Sequence, residues 1–185
     1  MLLFIWSAYG ESHYFFTVRN TTNFLSLNEH RIGITEESVR RGPLYLVTRV
    51  IDGDTLDVEK DGMPVRVRLI GIDTPETVDP RRSVGCFGRE ASQKASQLLL
   101  GNMVYLRQDP TQGDYDKYKR MLAYVFLPDN TLVNEKMIRE GYAYEYTYRS
   151  PYAYQSEFRN AERLARNEKI GLWADGVCAS QAHTP

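Results

Sequence analysis

From residue 44 onward the chain alternates apolar and polar positions in short runs. LYLVTRVI (44–51), TLDVE (55–59) and the run beginning at Val65 with VRVRL have a period of two, the pattern of half-buried strands. The tight stretch DGD (52–54) separates the first two strands. KDGM (60–63) predicts a hairpin, its Asp61-Gly62 pair supplying positive φ. In GREASQKASQLLLG (88–101) the period changes: Ala91, Ala95, Leu98 and Leu99 share a helical face, and Gly101 ends it. MVYLRQ (103–108) and MLAYVFL (121–127) read as strands again, and PDN (128–130) turns the chain into a short helix ending at Gly141. Ser150-Pro151 predicts a capped start to a last helix, which places Tyr154, Phe158, Ala161 and Ala165 on one face and ends by Gly171. Three strands, a helix, two strands and two helices make an α+β chain, and a small closed barrel with helices laid on it fits that order.

Before Gly42-Pro43 no period is sustained. Residues 1–42 predict an irregular extension, with residues 43–185 forming one domain with a real core, and no internal repeat or low-complexity tract is present. The opening MLLFIWSA is apolar but short and lacks basic residues before it, so it is either an ordinary docking segment or the remnant of a leader or anchor. No stretch has the length of a membrane span. Lys+Arg 23 against Asp+Glu 24 gives a net charge of −1, which excludes a global basic field, so nucleic-acid binding would have to rest on a local patch. Two cysteines, Cys86 and Cys178, are too few for a zinc site or a disulfide scaffold and are either one bridge or two separate thiols. His13, His30 and His183 have no metal or triad spacing, Trp173 reads as a core plug behind the last helix, and Arg81-Arg82 suit a surface loop as well as a phosphate.

VRVRLIGIDTPET (65–77) runs from a strand into a cluster of carboxylates at Asp73 and Glu76. If the flanking strands pair through the Asp61-Gly62 hairpin, Asp54 and Asp73 approach each other at one end of the sheet. Single turn aspartates are commonplace, but two close carboxylates repel unless a cation lies between them, and hard oxygen donors suit Ca²⁺ or Mg²⁺ over zinc.

IDGDT (51–55), RLIGIDTPET (68–77), FGREAS (87–92), DKYKRMLAYV (116–125), LVNEKMIREGYA (132–143) and GLW (171–173) occur in the order found in the staphylococcal-nuclease-like (thermonuclease) family. The chain resembles that family over about residues 44–175. The resemblance implies an OB-type five-stranded barrel with three helices, and Ca²⁺-dependent hydrolysis of DNA and RNA; a preference for single strands and a monomeric state are the further expectations. By position it implies metal ligation by Asp54, Asp73 and Thr74, with Arg68, Glu76 and Arg120 as the catalytic set. Lys117, Tyr118, Tyr146 and Tyr148 fall where the family holds the nucleotide. Where the family usually reads Lys-Tyr-Gly-Arg, this chain has Lys117-Tyr118-Lys119-Arg120, which puts the aim of Arg120 in question. A secreted or extracytoplasmic enzyme is the expectation. The alternatives are a silent member that binds nucleic acid or a protein ligand, or a nuclease unit of a larger surface-anchored protein.

Overall fold

The computed structural model describes residues 42–75, 77 and 85–178. The N-terminal extension up to residue 41, the three histidines and Arg81-Arg82 lie outside the described residues. Five strands close a barrel in the order β1-β2-β3-β6-β5: β1 (Leu44–Val50), β2 (Thr55–Lys60), β3 (Met63–Leu69), β5 (Met103–Arg107) and β6 (Met121–Phe126). A two-stranded sheet pairs β4 (Ile72–Asp73) with β7 (Tyr144–Glu145). Three α-helices complete the fold, α1 (Gly88–Leu99), α2 (Val133–Arg139) and α3 (Gln155–Asn167), followed by a short 3₁₀ turn at Gly171–Trp173. This is the α+β closed barrel that the element order predicted, and the OB-type five-stranded barrel with three helices that the resemblance implied.

The alternation in the sequence fills the barrel. Val47, Leu56, Val58, Val67, Leu69, Val104, Ala123 and Val125 are all essentially inaccessible, and α1 adds Ala91, Ala95 and Leu99 from one face. Burying a side chain of this size contributes about 1.5–3 kcal/mol, so register is strongly specified. The predicted hairpin forms, with Asp61 at φ 53° and Gly62 at φ 74°. It sets Thr55 opposite Arg68 across β2 and β3, and the ladder continues one residue further where the Leu69 N–H donates to the Asp54 carbonyl at 2.9 Å. β3 then pairs in parallel with β6, Val67 opposite Met121 and Arg68 opposite Leu122.

Two sequence expectations need correction. The last helix starts at Gln155 with Tyr154 as its first flanking residue, so Ser150 does not cap it. Ser150 is held by longer-range partners instead: its Oγ donates to the Thr111 carbonyl at 3.3 Å, and its carbonyl accepts from Gln112 Nε2 at 3.2 Å. Trp173 is not the plug of the core. Leu172 fills that place at 3% exposed, while Trp173 is partly exposed, with Arg166 stacked 3.8 Å from its ring centroid and Tyr144 packed edge-on. The indole Nε1 is buried with no hydrogen-bond partner among the described residues.

Cys86, two residues before α1, is joined by a disulfide to Cys178 beyond the 3₁₀ turn, with Cα atoms 5.7 Å apart. Among the described residues no helix is long and apolar enough to cross a membrane.

Candidate active site

Four of the residues singled out in the sequence converge at the end of the β2–β3 hairpin. Asp54 is 5% exposed although it is a carboxylate, and its burial is compensated by partners. Its Oδ1 accepts from Thr55 Oγ1 at 2.9 Å, and its Oδ2 accepts from the Thr74 N–H at 3.0 Å and Thr74 Oγ1 at 3.3 Å. Arg68 Nη2 lies 3.1 Å from Asp54 Oδ2 and 3.1 Å from Asp73 Oδ1, so a single nitrogen bridges both carboxylates. Nη1 of the same guanidinium donates to the Leu69 carbonyl at 2.6 Å and the Ile72 carbonyl at 2.8 Å. Arg68 therefore braces the turn that presents Asp73 as well as facing the carboxylates, which a lysine could not do with one planar fork.

Two glycines make the convergence sterically possible. A Cβ on Gly53 would lie 2.6 Å from Thr74 Cγ2, so the Asp-Gly-Asp loop can meet Thr74 only through a bare backbone. Gly71, at φ 78°, is pressed against the Tyr152 ring, 2.6 Å from where its Cβ would be.

The site contains one carboxylate that motif reasoning passed over. Asp52 Oδ1 accepts the Asp54 N–H at 3.1 Å. Burial first, and the charge of Asp54 second, push its carboxyl up to about 7. The Asp-x-Asp spacing in IDGD was the available signal. Among the described residues no three His, Cys, Asp or Glu side chains form a metal cluster, and the cation standing between Asp54 and Asp73 is Arg68. The carboxylates of Asp54 and Asp73 and the carbonyl of Thr74 offer oxygen donors only. A hard divalent cation fits that donor set. Glu76 lies outside the described residues.

A second group of residues sits on the loop leading into β6. Asp116 organises it: its Oδ1 accepts the backbone N–H groups of Tyr118 and Arg120, both at 2.9 Å, and its Oδ2 pairs with Arg120 Nε at 2.7 Å. Burial alone would raise this carboxyl, but those bonds and the adjacent guanidinium hold it below the usual carboxylate range. Among the described residues Arg120 pairs with Asp116 and not with Asp54 or Asp73. Its backbone enters the sheet one residue before the Val67–Met121 register pair, beside the strand that carries Arg68. Lys119 adopts φ 63°. The turn that a glycine would make without strain is thus preserved with a lysine in it, closed by Lys119 N–H to Asp116 carbonyl at 3.0 Å and Asp116 N–H to Arg120 carbonyl at 2.9 Å. Lys117 Nζ lies 5.0 Å and Arg120 Cζ 5.3 Å from the Tyr118 ring centroid. The phenol of Tyr118, with that of Tyr148 adding to it, holds the Lys117 ammonium above its ordinary value.

The tyrosines come from the segment after β7. Asp73 pairs with Tyr144 and Ile72 with Glu145, and the Tyr146 N–H donates to the Gly71 carbonyl at 3.0 Å. This two-residue sheet couples the carboxylate turn to the tyrosine segment, where the Tyr146 and Tyr148 rings lie 6.4 Å apart. Below them Asp109, 3% exposed, ties three segments together. Its Oδ1 accepts from Thr111, and its Oδ2 accepts from Tyr124 Oη at 2.7 Å and from the Ala153 N–H at 2.8 Å. Burial works to raise this carboxyl, yet the hydrogen bonds win and hold it below its ordinary value. Thr111 gives Asp109 the look of an ordinary turn residue, and the partners that make it a hub, Tyr124 and Ala153, are distant in sequence.

The family described as Staphylococcal nuclease homologue matches residues 66–175. The chain is 42% identical over 131 residues to Thermonuclease of Staphylococcus hyicus, covering 71% of this chain and 76% of that protein. It is 42% identical over 133 residues to Thermonuclease of Staphylococcus intermedius, with 72% and 77% covered. Endonuclease YncB of Bacillus subtilis (strain 168) is 36% identical over 157 residues, with 83% of this chain and 72% of that protein covered.

Proposed function

The chain belongs to the staphylococcal nuclease family, and from that premise we propose that it is a Ca²⁺-dependent phosphodiesterase acting on DNA and RNA, single strands preferred. The observation that carries the reading is the pair Asp54 and Asp73 brought onto one nitrogen of Arg68 at 3.1 Å each. A module that only binds nucleic acid gains nothing from two carboxylates buried beside the polyanion it must attract.

In this reading Asp54, Asp73 and Thr74 hold the divalent cation. When bound, it neutralises phosphate charge and polarises water, which hard oxygen ligands in a flexible shell suit for Ca²⁺ better than for Mg²⁺. Glu76 accepts the proton of the attacking water. Arg68 and Arg120 donate to the phosphoryl oxygens on which charge develops, Arg68 from β3 and Arg120 from the loop before β6. Lys117 and Tyr118, with Tyr146 and Tyr148, hold the nucleotide, lysine by charge and the rings by stacking. The disulfide supports an oxidising, extracytoplasmic setting.

The test is cleavage of labelled single-stranded DNA. Excess chelator should abolish it, Ca²⁺ should restore it, and Mg²⁺ should substitute poorly. Undiminished cleavage in chelator would overturn the reading.

A further inference from the structure

Two loops next to the nucleotide residues carry two further exposed cations, Lys119 and Arg149. Loop 109–120 and loop 146–153 are stapled at their bases. Thr111 Oγ1 donates to the Pro151 carbonyl at 3.1 Å, Gln112 Nε2 to Ser150 Oγ at 3.2 Å, and the Ala153 N–H to Asp109 at 2.8 Å. The staple is made by the residues immediately after Arg149, so it fixes where that side chain leaves the backbone. Above it, Tyr118 on one loop is 67% exposed and Tyr148 on the other 57%. Large rings so open to water contribute little to the fold and are available to a planar ligand. Arg149 Cζ lies 5.0 Å from the Tyr148 ring centroid, and the Tyr148 phenol and the Arg149 guanidinium both act on the Lys117 ammonium.

The charge pattern is as one-sided as the rings are exposed. Lys117, Lys119 and Arg149 are all exposed, and among the described residues none of them pairs with a carboxylate. The nearby Asp116 is consumed by Arg120 and the loop backbone, and Asp114 accepts from Gln108 Nε2 at 3.1 Å. On a chain of net charge −1, three unpaired cations around two exposed rings are a local anion-binding surface.

We propose that Arg149 and Lys119 form an outer phosphate subsite, which grips single-stranded nucleic acid at nucleotides beyond the one being cleaved. This rests on the nuclease reading but extends it, since that reading gives Lys117, Tyr118, Tyr146 and Tyr148 to the nucleotide in the site and leaves Arg149 and Lys119 without a role. Lys119 is carried by loop 109–120 and Arg149 by loop 146–153, the two loops that the staple joins. Exposed aromatic rings interleaved with cations suit a flexible strand whose bases can turn out and stack, and a rigid duplex hides those faces.

The proposal is tested by binding and cleavage of labelled oligothymidylates, a dinucleotide and an octanucleotide, comparing the wild type with Arg149→Gln and Lys119→Gln. Binding is read by fluorescence anisotropy in chelator across a salt series, and KM is measured with Ca²⁺. Each substitution should weaken octanucleotide binding about fivefold and reduce the slope of log affinity against log salt by about 0.7, one lost single-strand contact. Dinucleotide affinity should change less than twofold, and KM should follow affinity at both lengths. Equal weakening at both lengths would assign these cations to the nucleotide pocket and overturn the subsite, as would no weakening at either. If the wild type bound the octanucleotide but cleaved neither substrate, the nuclease reading would fall while the binding comparison still decided the subsite.

Discussion

Arg68 is built to fail in two separable ways, and Arg68→Met separates them. Methionine has comparable length and fills the same channel, but it removes every donor. The Leu69 and Ile72 carbonyls lose bonds of 2.6 and 2.8 Å, and Asp54 and Asp73 lose the nitrogen that bridges them. Asp54 is the costly partner because its side chain is only 7% exposed and that of Asp73 is 28%. Removing one member of a buried ion pair typically costs about 3–5 kcal/mol. Deleting a hydrogen bond to a charged donor costs about 1.5–3 kcal/mol, reduced where water can reach the carbonyl. Burying a thioether stem offsets part of this by about 1–2 kcal/mol. The expected net loss is roughly 3–5 kcal/mol, read as a lower urea midpoint in chelator with an unchanged slope. In an Asp54→Asn background the same substitution should cost only the carbonyl share, about 1.5–3 kcal/mol. A loss under about 1 kcal/mol in the wild-type background, or the same loss in both, would refute the account of Arg68 as the brace of the carboxylate turn.

Three further outcomes follow from the same geometry. Replacing Cys86 and Cys178 together by serine should lower stability by about 2–4 kcal/mol, below the chain-entropy ceiling of about 4.6 kcal/mol for a separation of 92 residues, and an unchanged urea midpoint would rule the cross-link out as a stabiliser. Lys119→Gly should raise stability by about 0.5–1 kcal/mol, because the left-handed conformation costs lysine more than the added chain entropy costs glycine; a lower melting temperature would contradict the turn. The Asp109 carboxyl titrates below its unfolded value, so its stabilisation is fully present above the ordinary carboxylate range and is lost as pH falls through its folded value. Asp109→Asn should therefore cost about 2–3 kcal/mol at neutral pH, with the deficit shrinking below about pH 4, and a pH-independent deficit would contradict an ionised hub.

Much of the barrel was legible because its signals are local. The period of two in LYLVTRVI and VRVRL, the Asp61-Gly62 pair and the alanine face of α1 each act within a few residues, and the structure follows them. Asp54, Arg68 and Asp73 were legible as a group because a single hairpin register brings them together. What was not legible depends on distant partners. Ser150 reads as a helix cap until Thr111 and Gln112 claim it from about 40 residues away. Asp109 gains its role only when Tyr124 and Ala153 arrive. The β4–β7 pair is two residues long on each side, too short for any periodicity to reveal. Trp173 was misplaced because sequence gives its hydrophobicity and not the Arg166 guanidinium that covers it.

That smallest sheet has a consequence for how the enzyme is made. Asp54, Arg68 and Asp73 lie within the first 75 residues of the chain, but the strand that fixes the Asp73 turn is Tyr144–Glu145, and the bridge from Cys86 closes at Cys178. A polypeptide still growing on the ribosome carries the carboxylates and the first arginine long before it has the strand that braces them. The turn that presents Asp73 is therefore fixed only once residues 144–145 are present, so the carboxylate cluster takes its final form after a strand about 70 residues downstream has docked.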